Sequence, residues 1–170
     1  MGCDRTGHGS GWFQPAALLL WLVLLGTVFA KVEVQIEGGA GWAANLPTWR
    51  LESSWLNALW GDKTITGYHV WLFSFMALAF HLPLFVAGKF SRRLEARIIG
   101  CIMVFWIVED FLWFAFNPAF GIERFRPGSV PWHRHWVMGV PVDYTLSLAV
   151  GFALLAWSYG RPTVPKGEAQ

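Results

Sequence analysis

Two adjacent carboxyl residues, Glu109 and Asp110, stand inside an apolar stretch of this 170-residue chain. An ionisable side chain at the centre of a membrane helix costs about 3 kcal/mol on insertion scales, so such groups mark either a buried polar anchor or proton handling. On a helix, Asp110 shares a face with Trp106, Trp113 and Asn117, because offsets of three, four and seven nearly close on the wheel. Other polar residues punctuate the neighbouring apolar stretches: His69 in Thr66-Gly67-Tyr68-His69, and Asp143 in Pro141-Val142-Asp143-Tyr144. Glu109 or Asp110 as general acid, with His69 or Asp143 as its partner, is a constellation suited to acid–base work. Trp113, Asn117, Arg124 and Arg126 are the candidates for gripping a substrate. The two arginines, alternating with aromatics in Glu123-Arg124-Phe125-Arg126, suit a phosphate headgroup or a carboxylate. They equally suit pairing with Glu33, Glu37 or Glu123, or snorkelling towards headgroups. His133-x-His135 has the residue types for two ligands to one metal ion in an extended loop. An HxH pair beside tryptophans is also what a membrane interface commonly carries. His81, next to Pro83 in its segment, reads as a histidine bonded to a backbone carbonyl that the proline loosens.

The elements that must position these groups follow from composition. The chain is 55% hydrophobic and 17% aromatic, with 12 Trp, while only 14% of its residues are charged, against about 25% in soluble proteins. This describes a membrane protein in contact with the lipid bilayer. A formal charge of +2 does not suit nucleic acid, which requires clustered Lys and Arg. Cys3 and Cys101 form no CxxC or CxxCH pattern. Nor does the chain hold the HxxxH and HxxHH boxes of membrane desaturases, a pair of His placed for bis-His haem, or an internal repeat.

A bilayer core of about 30 Å takes roughly 20 apolar residues as helix. Four stretches meet that length: residues 12–30, 67–88, 94–116 and 139–159. The first is read as a retained span, the alternative being a signal peptide. Asp143, Ser147 and Gly151 form a small-residue stripe on the fourth, the mark of close helix packing. The short connection between the second and third spans carries Lys89, Arg92, Arg93 and Arg97, which assigns that side to the cytoplasm by the positive-inside rule. Both termini then share the cytoplasmic side of the cell membrane, and the long connections 31–66 and 117–138 face outward. Within the first, residues 31–37 alternate apolar and polar as in a short strand, and residues 48–60 place Leu51, Trp55 and Leu59 on one face of an interfacial helix. Residues 1–6 match an acylation pattern. Eight tryptophans (Trp42, Trp49, Trp55, Trp60, Trp71, Trp113, Trp132 and Trp136) fall in the outer loops or outer helix ends. A bilayer-anchoring belt would occupy both interfaces, so this excess predicts an aromatic cap over the polar cluster.

The segments 41–50, Thr-Gly-Tyr-His at 66–69, Glu-Asp-Phe-Leu-Trp-Phe at 109–114 and Pro-Val-Asp-Tyr at 141–144 resemble those of small uncharacterised prokaryotic polytopic membrane proteins. That resemblance implies no activity. Residues 108–118 are also locally similar to the acidic, Phe-rich helices of membrane carotenoid cyclases, in which carboxylates supply a proton to a polyene. The stretch departs from that pattern in lacking a proline just before the acid and a second matching helix.

The expectation is therefore an all-α bundle of four transmembrane helices forming one membrane domain, with an outward loop cap. Its expected function is acid–base chemistry on a lipophilic small molecule at the outer leaflet. The alternatives are a non-catalytic subunit or assembly factor bound to other membrane subunits and, third, a proton or ion pathway.

Overall fold

A computed structural model describes residues 13–51 and 64–160 of the chain. Four helices are long and apolar enough to cross a membrane: α1 (Phe13–Glu37), α2 (Gly67–Ala87), α3 (Arg92–Phe116) and α4 (Val142–Tyr159). Helix is the structure that such sequences must adopt in lipid, because it satisfies every backbone N–H and C=O within the segment. Two minimal hairpins interrupt the connections. One pairs β1 (Arg50–Leu51) with β2 (Ile65–Thr66), and the other pairs β3 (Trp136–Val137) with β4 (Val140–Pro141), both antiparallel.

The central helix is α3, with α1 and α4 packed along it and α2 touching it over a shorter stretch. Lipid tails are as apolar as leucine, so apolar area alone does not drive helices together there; close approach and dispersion do. Small residues provide that approach. A Cβ on Gly100 would lie 2.8 Å from the Gly151 carbonyl oxygen of α4, and one on Gly26 of α1 would lie 2.9 Å from Val108 of α3. The expected Asp143/Ser147/Gly151 stripe therefore marks the α3–α4 crossing at its glycine. In α1, Leu22, Gly26, Ala30 and Glu33 form the buried stripe, whereas Leu20, Trp21, Leu24 and Val28 are exposed on the outside of the bundle.

Capping explains where the helices begin and end. Thr66 caps α2: its Oγ1 accepts from the His69 N–H, and the His69 Nδ1 accepts from the Thr66 N–H at 3.3 Å. This is a capping box with histidine in the place usually held by Glu or Gln. At the far end Gly88 closes α2 at φ 62°, a left-handed conformation that glycine adopts without strain. Asn117 ends α3 and ties it to α1. Its Nδ2 donates to the Gly38 carbonyl at 2.7 Å, and its Oδ1 accepts from the Ala119 and Phe120 N–H groups.

Three expected boundaries are corrected. Residues 31–37 are the last turns of α1 rather than a strand. The alternating pattern misleads because α1 turns the carboxylate of Glu33 inward and leaves Val32 and Ile36 exposed. The fourth span begins at Val142, not at residue 139: Met138 and Gly139, at φ 51° and 81°, make the two-residue turn between β3 and β4. Arg50 and Leu51 of the expected interfacial helix are strand, paired with Thr66 and Ile65. Thr48 and Trp49 are irregular, and residues 52–60, with Trp55 and Trp60, lie outside the described residues, as do the acylation pattern and Cys3.

Candidate functional site

The ends of α1 and α3 and the starts of α2 and α4 meet at one end of the bundle, together with both long connections. A cavity of about 660 Å³ opens there in front of α3, between α2 and α4. The two flanking helices make no extended contact with each other. Leu72 and Phe73 of α2, Trp106 and Ile107 of α3, and Leu146 of α4 give one part of it an apolar lining, in which Phe73 and Leu146 are exposed. The other end of the cavity is polar.

The polar end has two walls. On one, His133 is wedged between two carboxylates: its Nδ1 lies 2.9 Å from Asp143 Oδ2 and its Nε2 lies 3.1 Å from Asp110 Oδ2. The Tyr144 hydroxyl donates to the same Asp110 oxygen. The side chains grade in exposure from Asp143 (45%) through Asp110 (28%) to His133 (3%). Burial works against charging the His133 ring, but the hydrogen bonds and negative charge of Asp110 and Asp143 outweigh it and raise its pKa above 6.5. Each ring nitrogen faces a carboxylate, so the charged ring donates to both. When the ring is neutral, one of the two carboxyl groups must hold the proton to keep both bonds. The array is therefore a three-group chain along which a proton can pass.

The loop that delivers His133 is fixed by aromatic packing. Trp132 stacks on Phe114 with centroids 5.9 Å apart and touches Trp113 and Phe120 edgewise or tilted, and the Trp136 Nε1 donates to the His133 carbonyl. The indole N–H groups of Trp113 and Trp132 are buried without an acceptor among the described residues. An unmet donor costs about 1–3 kcal/mol, so these rings are placed by their area rather than by their polar edge.

The second wall is acidic. The Tyr68 hydroxyl donates to Glu33 Oε1, and Glu37 Oε1 accepts from the Ala43 N–H at 2.6 Å. The turn that aims this N–H holds Trp42 and Ala43 at φ 46° and 50°, and Arg50 braces it by donating to the Ala44 carbonyl at 2.6 Å. Glu109 completes the wall. It is 6% exposed, lines the cavity and makes no hydrogen bond with a described residue. His69 is buried and also lines the cavity, its ring 4.3 Å from that of Trp42.

Of the expected site residues, Glu109, Asp110, His69, Asp143, Trp113, His133 and His135 all line this cavity. Asn117 does not: its amide is consumed by the α3 cap. Arg124 and Arg126 are exposed outside it, one over the Phe120 ring and the other bonded to Ser129. The expected metal pair divides, His133 being buried with a carboxylate on each nitrogen and His135 being exposed. Among the described residues, no three His, Cys, Asp or Glu side chains form a group that would hold a metal ion. Sequence reasoning missed Glu33, Glu37, Tyr68 and Tyr144 as cavity residues. The spacing of Ala30, Glu33 and Glu37 at i, i+3 and i+7 was the available signal for the first two.

At the opposite end, His81 Nδ1 bonds the Ala77 carbonyl at 2.6 Å and its Nε2 lies 3.2 Å from Glu95. The carbonyl is that of the residue four back from His81, not the Ala79 carbonyl that Pro83 releases.

No family model, curated protein or solved structure matches the chain. Four helices apolar enough to cross a membrane and a partly polar cavity at one end of their bundle are together consistent with a multi-pass membrane protein.

Proposed function

We propose that the protein is an enzyme performing acid–base chemistry on a lipophilic molecule that reaches the cavity from the bilayer, at the outer leaflet. The observation that carries this reading is the Asp143–His133–Asp110 chain, in which a buried imidazole joins two carboxyl groups that both line the cavity, Asp143 being the more exposed. Asp110 is the group that gives or takes the proton at substrate. His133 and Asp143 reload it, and the Tyr144 hydroxyl holds the accepting oxygen in place. A positioned acid or base of this kind contributes roughly 10²–10⁴-fold in rate. Apolar side chains in part of the lining suit a hydrocarbon tail, and a cavity of about 660 Å³ holds the reacting end of such a molecule.

A second reading, a subunit of a larger membrane complex, is favoured by α2, which buries only Gly67, His69 and Met76 and leaves its other faces for a partner. Comparison of lipid extracts from membranes carrying wild type, Asp110→Asn or no protein tests the enzymatic reading. Wild type alone should deplete one lipophilic species and accumulate another. Identical extracts from all three, with the variant folded and inserted, would overturn the reading.

A further inference from the structure

We propose that the cavity receives a lipophilic alkylammonium, with Glu109 as its counter-charge and an aromatic wall around the cationic head. This rests on reading the cavity as a substrate site. Five carboxyl groups line it, Glu33, Glu37, Glu109, Asp110 and Asp143, against a single guanidinium, that of Arg134. Four of the five already have defined partners: Tyr68 for Glu33, Ala43 for Glu37, and His133 for the two aspartates. Glu109 makes no hydrogen bond with a described residue, although it is only 6% exposed and lines the cavity. A buried carboxyl group without a partner keeps its proton, and ionises when a positive charge arrives to meet it.

The cation indicated is organic rather than metallic, because the acids do not converge into a metal-holding group among the described residues. Aromatic faces supply the rest of the recognition. A continuous run of rings crosses from the loop to α3: Trp42 to His69 at 4.3 Å, His69 to Phe73 at 5.8 Å, and Phe73 to Trp106 at 4.9 Å between centroids. Ring faces attract ammonium groups through their quadrupole, and the attraction grows when water is excluded. Trp106 precedes Glu109 by one helical turn on α3, so the carboxylate and the end of the aromatic run share a face. The apolar part of the lining then takes the alkyl chain.

The test is direct binding to wild type in dodecyl maltoside, read by tryptophan fluorescence, with octyltrimethylammonium as the probe. Its neutral carbon isostere 2,2-dimethyldecane and the anion octyl sulfate serve as comparisons. Saturable binding of the ammonium at least tenfold tighter than that of either comparison is expected, with Glu109→Gln weakening it about tenfold or more. Equal binding of the neutral isostere to wild type would overturn the proposal whether or not the variant folds. So would undiminished ammonium binding by a folded Glu109→Gln. Because binding requires no turnover, ammonium binding without any change in lipid extracts leaves the cation site standing and removes the enzymatic reading. Conversion of a lipid by a protein that does not prefer the ammonium does the reverse.

Discussion

His133 has both ring nitrogens committed to carboxylates carried by two different helices, so its charge state bears on stability as well as on chemistry. Its pKa is raised in the folded protein. A group raised on folding contributes stability that is fully present below its unfolded value and is lost as pH rises through the folded value. His133→Gln should therefore lower the melting temperature in detergent most below about pH 6.5, with the deficit shrinking as pH climbs through the raised value. A deficit constant across pH 5 to 9 would contradict a charged ring between the two aspartates. The convergence of His69, Asp110 and Asp143 was legible in the sequence, because alternate spans reverse direction and bring these positions to one end. The division of His133 from His135 was not. Two histidines one residue apart in a loop look equivalent until Trp132 and Trp136 fix which ring turns inward.

At the scale of elements, the geometry of the relay depends on how closely α4 approaches α3, since Asp143 and Tyr144 ride on one and Asp110 on the other. That distance is set at Gly100 and Gly151. Gly100→Val places side-chain carbon against the Gly151 carbonyl and Leu155, and should destabilise the bundle by about 1–3 kcal/mol as overpacking does. Denaturation in mixed micelles measures this, and a variant as stable as wild type would mean that the helices do not cross at these glycines. The span positions were legible from apolar length alone, to within a few residues. The inward carboxylates of α1 were not, because an alternating pattern at a helix end fits a strand equally well when the environment outside the helix is lipid instead of water. Helix capping by Asn117 was equally hidden: an Asn two turns beyond an Asp reads as site chemistry, and only the Gly38 carbonyl reveals its structural duty.

For the whole molecule, the proposal assigns the cavity end to the outer face and the Lys89–Arg97 end to the cytoplasm, on the basis of positive charge in the short connection. Single cysteines introduced into a Cys3→Ser/Cys101→Ser background test this. Gly128→Cys, in an exposed loop at the cavity end, should react with a membrane-impermeant maleimide in intact cells, and Lys89→Cys only after permeabilisation. The reverse pattern would place the acid–base chain on the cytoplasmic leaflet. The proposed enzymatic reading rests on the Asp143–His133–Asp110 chain lying beside a cavity that is partly lined by exposed apolar side chains. The measurement that bears on it most directly uses purified protein incubated with a total membrane lipid extract, followed over time by mass spectrometry. Wild type should consume a lipophilic species at a rate that Asp110→Asn lowers by roughly 10²–10⁴-fold while remaining folded. Absence of any consumed species, or consumption at the same rate by Asp110→Asn, would contradict the account.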